Sequence, residues 1–261
     1  MRHLRLYLHF LRFSFSRAME FRVDFFFRIG MDTLWYAVHF AFFVLLFLHT
    51  DAFGGLSEDQ IYIFAGTVFF ADAVQMTVVS NNLWMFPYLV NRGDLDYYLT
   101  RPVSPLFFLS LRDFAANSFL NLLMAIGILV WAIARYPLDL GAGALVLFFV
   151  MALLGCFLHY VLSMMFLIPI FWLHRGEGLR QIFWSLDSYS QRPSGIFTGW
   201  ARRILLSVLP MALVISMPVY TLFDGATWLG MVHFLGLIAA AFGVMVFFWR
   251  RGLRAYSSAS S

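Results

Sequence analysis

The 261 residues are 62% hydrophobic and only 12% charged, with a mean hydropathy of +0.79; a soluble domain carries roughly 25% charged residues, and thirty-two Phe and eight Trp cannot all be hidden behind the polar surface of a 30.1 kDa globule. The composition is that of an integral membrane protein. Its net charge of +4 comes from 18 Arg with no Lys, which excludes a Walker A phosphate cradle, a lysine Schiff base and a lysine general base. The single Cys156 excludes an intrachain disulfide and a Cys-based metal site. The Arg residues flank apolar stretches, so the charge points to membrane orientation, and no nucleic-acid partner is expected.

In chain order, residues 1–30 read as an amphipathic helix. Arg5, His9, Arg12, Ser16, Glu20, Asp24 and Arg28 recur every three or four residues, opposite Leu4, Leu8, Leu11, Phe15, Ala18 and Phe25. Such a helix lies in the headgroup plane, as a surface anchor or as an elbow that passes motion to the first span. Arg recurs through the segment without a clean apolar core or a small-residue cleavage site, which argues against a signal peptide.

A crossing helix needs about 20 mostly apolar residues, and six stretches qualify: 33–48, 61–79, 114–134, 142–173, 204–223 and 228–249. Ser80-Asn81-Asn82 is read as the end of the second, and Pro210 and Pro218 interrupt the fifth. With these spans, seventeen Arg fall on one side and Arg135 alone on the other. The positive-inside rule then places both termini in the cytoplasm of a cell whose inner (plasma) membrane holds the chain. The outer loops, 51–60, 136–141 and 224–227, are too short to form a domain. A soluble partner is therefore expected on the cytoplasmic side.

The loop 84–102 holds the densest local signals. Pro87 can open a helical turn, Gly93 can break or cap it, and Asp94 begins a second short turn with the sign that a helix dipole favours. Pro102 stops that turn and Pro105 opens the approach to span three. Leu95, Tyr98 and Leu99 share a face by their spacing. The expectation is a short, stiff helix between two prolines that carries an aromatic-aliphatic knob flanked by charges; the plainer alternative is an ordinary interfacial loop.

Within the spans, Asp72 and Gln75 share one helical face. A carboxylate at that depth is costly unless paired or hydrated. It is read as a satisfied packing contact, for which an Arg is a candidate partner, as part of a hydrated path, or as a proton-coupling group. Asp32, Arg112 and Asp113 sit at span ends, as interfacial pairs or snorkelling charges. His39, His159 and His233 are isolated, without the paired spacing of a metal site. Gly66, Gly127, Gly155, Gly236 and Gly243 allow close helix approach. Residues 177–191, with Leu179, Ile182, Phe183 and Leu186 at helical spacing, read as a second cytoplasmic amphipathic helix. It would lie on the membrane or touch a soluble partner. Residues 257–261 form a polar tail.

Arg92-Gly93-Asp94-Leu95-Asp96, then Leu99, then Arg101-Pro102-Val103, resembles the cytoplasmic loop of type-2 ABC exporter permeases, and most closely that of the ABC-2-like uncharacterised permease component family. Pro193-Ser194-Gly195-Ile196-Phe197, Arg203-Ile204-Leu205, Val208-Leu209-Pro210 and Pro218 are similar to that family's pattern before and within span five. The resemblance covers almost the whole chain. It implies a single all-α six-span domain over 1–256, with a coupling helix in 84–102 that seats in a groove of an ATPase subunit. Arg92, Gly93, Asp94, Leu95, Asp96, Tyr98, Leu99, Arg101 and Pro102 would carry the coupling, and Asp72 and Gln75 would line the path. The implied assembly has two ATPase subunits and a second permease subunit, identical or paralogous. No cofactor belongs to this chain; ATP and Mg belong to the ATPase. The family's outer re-entrant helices between spans five and six are not expected here, because few residues separate those spans, unless the stretch after Pro210 bends back. Three other function classes remain open: a non-transporting scaffold driven by an ABC ATPase; a membrane-embedded lipid-modifying enzyme, for which no catalytic cluster emerges; and a secondary transporter, for which the halves and broken-helix pairs of inverted repeats are not visible.

Overall fold

Backbone polar groups in hydrocarbon must be satisfied within the chain, and a helix does this locally. The computed structural model describes residues 2–18, 22–173 and 177–256, and among them the regular structure is helical, apart from an isolated bridge between Phe53 and Leu56. Four helical stretches are long and apolar enough to cross a membrane: Ile29–Phe47, Glu58–Arg92, Ala142–Leu173 and Trp228–Ala255. A shorter apolar helix spans Phe119–Arg135, and two further helices, Gly199–Val208 and Leu213–Asp224, meet at a 95° bend. The expected tail 257–261 and Arg175 lie outside the described residues.

The chain runs between two ends of a bundle, which we name by Arg92 and Gly54. Helix α1 (Arg2–Ala18) packs at the Arg92 end: Phe10 meets Phe108 edge-on, ring centroids 5.2 Å apart, and the Ser14 hydroxyl accepts from the Phe114 N–H at 3.3 Å. Helix α2 (Arg22–Phe47) then runs towards Gly54. Of the segment expected to be one amphipathic helix over 1–30, residues 1 and 19–21 lie outside the described residues.

From Gly54 the chain returns through α3 (Glu58–Gln75), a π-helical stretch (Met76–Ser80) and α4 (Asn81–Arg92). The expected stop at Ser80-Asn81-Asn82 is corrected: the helix continues because Asn82 turns inward. Its side chain donates to the Asp113 carbonyl and accepts from the Asp113 N–H, both at 2.8 Å. The π-helical stretch offers Thr77 to a neighbour in the same way, its carbonyl accepting from Ala115 N–H at 2.8 Å. Gly93, at φ +79°, closes α4 in the left-handed region. A single turn α5 (Asp96–Leu99) and α6 (Pro105–Leu111) follow, and α7 (Phe119–Arg135) climbs to the Gly54 end, where Arg135 lies 3.5 Å from Asp59. Helix α8 (Ala142–Leu167) descends, breaks at Pro169, and ends in the short α9 (Ile170–Leu173).

Helix α10 (Glu177–Asp187) comes next and is applied to the bundle by one face. It starts beside α4, with Arg180 over the Trp84 ring, and packs buried Phe183 against His159 and Phe166 of α8. Residues 188–196 carry the chain on to the Gly54 end. There a Cβ at Gly54 would overlap Pro193, and one at Gly195 would overlap the Gly54 carbonyl. The fifth passage between the ends is therefore α10 plus this irregular run, not 204–223.

Residues 204–223 do something else. Helix α11 (Gly199–Arg203) and a π-helical stretch (Ile204–Val208) lead to a fully buried turn at Met211 and Ala212. Helix α12 (Leu213–Asp224) climbs back out. Its Val214 carbonyl lies so close to Gly155 that a Cβ there would overlap it, and its Tyr220 hydroxyl donates to the Gly54 carbonyl at 2.6 Å. The chain leaves the Gly54 level at Gly195 and regains it at Tyr220. The bent pair thus enters and leaves the bundle at the same end, the case left open for a stretch after Pro210 that bends back. The bend that decides it follows Leu209-Pro210. Finally α13 (Trp228–Ala255) runs the full length to the Arg92 end.

This path also revises the Arg count. Arg192 lines a pocket with Phe53, and Arg202 lies near Tyr220. Arg192, Arg202 and the adjacent Arg203 are therefore at the Gly54 end, with Arg135. The other described Arg residues keep the bias towards the Arg92 end.

Candidate functional site

At the Arg92 end, α5 is wedged against the bundle. Leu95 is 0% exposed and Tyr98 5%, whereas Tyr97 is 58% and Leu99 36% exposed. Leu95 and Tyr98 belong to an apolar cluster with Phe86, Leu109, Phe171 and Trp249. Within it the rings of Phe86, Phe171 and Trp249 stand mutually 5.7 Å apart. Tyr98 is braced from two sides, by Phe108 at 5.4 Å and by the Arg112 guanidinium at 5.2 Å over its ring. The spacing that put Leu95, Tyr98 and Leu99 on one face identified the inward face of the turn, with Leu99 at its margin. The outward surface is made by Tyr97, Leu99, Asp94, Arg92, Arg101 and Pro102. Arg101 stacks on Tyr97, its guanidinium carbon 4.3 Å from the ring centroid, and hydrogen-bonds the Tyr97 hydroxyl. Asp96 is half-buried, on the side where the chain end of α13 approaches. Burial, and then the nearby Asp96 and Asp94 carboxylates, push the Tyr256 phenol up, so it stands as a neutral hydroxyl beside α5.

The second cluster sits mid-bundle. Gln75 is buried and its amide donates to the Cys156 carbonyl at 2.6 Å. One turn further along α8, the His159 ring meets the Asp187 carboxylate, Nε2 to Oδ1 2.7 Å. An ionised carboxylate only accepts, so Nε2 carries the proton. The Ser190 hydroxyl lies 3.0 Å from the same carboxylate oxygen and 2.7 Å from the Asp187 carbonyl. These groups share a cavity of about 30 Å³ with Asp72 and Gln191, closed by Val68, Ala71, Val214 and Ile215. That is room for roughly one or two waters. Among the described residues no Arg lines the cavity beside Asp72; His159 and Asp187 do.

Sequence reasoning found Asp72 and Gln75 but missed His159, Asp187, Ser190 and Gln191. His159 was read as isolated, and Asp187 as part of a surface helix. The available signal was a charged residue closing an apolar helical face, followed by Ser188, Ser190 and Gln191. Arg112 lies over the Tyr98 ring, and the Asp113 backbone fixes the Asn82 side chain. Among the described residues no group of three or more His, Cys, Asp or Glu is placed to hold a metal ion.

The family model described as "ABC-2 family transporter protein" matches residues 33–260. The chain belongs to this family. Neither the curated proteins nor the solved structures gave a match. Family membership makes this a multi-pass membrane protein with a permease role, and implies an ABC ATPase as partner in general terms.

Proposed function

We propose that the chain is the permease subunit of an ATP-driven exporter in the inner (plasma) membrane. It pairs with a second permease subunit, identical or paralogous, and with two ATPase subunits. In this reading the chain crosses the membrane six times, by α2, α3–α4, α7, α8, α10 with 188–196, and α13. Both termini and the Arg92 end face the cytoplasm, where Arg is concentrated, and the re-entrant hairpin lies towards the outer face. The chain itself hydrolyses nothing, and ATP and Mg act in the partner.

The observation that carries the proposal is the two-sided α5. Its outer side offers Tyr97, Leu99 and Arg101 to a groove. Its inner side drives Leu95 and Tyr98 into the same cluster as Phe86, Phe171 and Trp249. A push on α5 therefore reaches α4, α9 and α13 through packed side chains, which transmit displacement because a close-packed cluster is nearly incompressible. The stroke tilts these helices between two packed arrangements, and the polar cavity at Asp72 and Gln75 lies between helices that would part. Leu95 and Tyr98 serve as struts here, and Tyr97, Leu99 and Arg101 form the grip.

The test is co-purification of the ATPase with the Tyr97→Ala/Arg101→Glu variant. The ATPase should be lost while the permease keeps the thermal stability of the parent. Full retention of the ATPase would remove α5 from the coupling role.

A further inference from the structure

We propose that the pocket between α2, α3 and residues 188–196 binds an anionic amphiphile, and that such molecules are the substrate class of this transporter; the second half of the inference rests on the exporter reading above. The pocket has a volume of about 630 Å³, within the range of small-molecule sites. Its walls are mostly hydrocarbon, with Val38, Phe42, Phe43 and Phe69 on two helices; the one polar wall residue on α2, His39, is engaged through Nδ1 with the Trp35 carbonyl at 3.0 Å. Its rim is polar, made by Ser188, Gln191 and Arg192, and Arg192 supplies a permanent positive charge.

Two features select the occupant. Val38 and Phe42 are 59% and 56% exposed on the outward side of α2, so the pocket opens sideways, to the hydrocarbon in a membrane. The Arg192 side chain is exposed, and among the described residues no acidic group pairs with it. A free hydrophilic anion gains nothing from a wall of aromatic rings. A neutral hydrocarbon gains nothing from a guanidinium. A molecule with an apolar tail and a carboxylate or phosphate head uses both, and a guanidinium binds such heads through paired hydrogen bonds. Val68 and Gln191 line both this pocket and the cavity holding Asp72, His159 and Asp187. The pocket therefore shares a wall with the polar interior that the stroke would open.

The test uses the full-length chain in nanodiscs of phosphatidylcholine, with a fluorescent polyene fatty acid and its methyl ester as probes. The acid should bind at least roughly tenfold more tightly than the ester, the worth of a charge-assisted hydrogen bond. Arg192→Gln should abolish that preference without changing ester affinity. Val38→Trp should weaken both probes by filling the wall. Equal affinities in the wild type, or an acid preference retained in Arg192→Gln, would overturn the proposal. So would a wild type that binds neither probe because a second copy covers the pocket. Probe binding is read without the ATPase. Its failure alongside intact ATPase docking would therefore sink this inference alone, whereas probe binding with no α5-dependent docking would sink the exporter reading alone.

Discussion

Leu95→Ala separates the strut from the grip. Leu95 has no exposed surface, and its neighbours are held by the wedged rings of Phe86, Phe171 and Trp249. Such a site collapses little when the side chain is truncated, so the cost should fall within about 2–5 kcal/mol. Tyr97→Ala removes an exposed ring whose cation–π contact with Arg101 is worth only about 0.5–1 kcal/mol. The two changes are two residues apart on one turn yet should behave oppositely. Leu95→Ala should lower the melting temperature in detergent, by on the order of 10 °C. It should still retain the ATPase, because the outer surface is intact, but the nucleotide cycle should no longer move the probe described above. Tyr97→Ala should melt with the parent and lose the ATPase. Tryptophan fluorescence melting and affinity co-purification read both. A Leu95→Ala variant that melts with the parent would refute the buried-strut reasoning.

Other outcomes follow from the same structure. Labelling with a membrane-impermeant maleimide should reach Arg202→Cys and Ala52→Cys from the same face of the membrane, and Arg92→Cys from the opposite face; native Cys156 is buried and stays silent. Labelling of Arg202→Cys together with Arg92→Cys would restore 204–223 as a simple span. Gly155→Leu should destabilise by about 1–3 kcal/mol or more, read by thermal melting, because the added side chain meets the Val214 carbonyl rather than a movable side chain. His159→Ala and Asp187→Asn should each destabilise, and the double variant should cost less than their sum by about 0.5–3 kcal/mol, since the two share one hydrogen bond at 2.7 Å. Additive losses in that cycle would show that the pair does not hold α10 to α8.

Composition and Arg distribution alone established a helical membrane bundle, and local motif reading located the short turn near Gly93 between Pro87 and Pro102. Both are properties of short windows: apolar length, charge at span ends, turn residues at fixed offsets. What they left undecided was which apolar stretch crosses and which turns back. The run 204–223 has the hydropathy of a span, yet it re-enters because the chain is pinned to Gly54 at both Gly195 and Tyr220. The stretch 177–196 has the pattern of a surface helix, yet it passes between the ends because α8 and α4 offer Phe183, Trp184 and Asp187 their partners. Amphipathicity says that a helix has an apolar face and is silent on whether lipid or protein covers it. The same ambiguity turned Leu95 and Tyr98 inward and brought His159 to Asp187, since only the packed neighbours decide which side of a turn is buried.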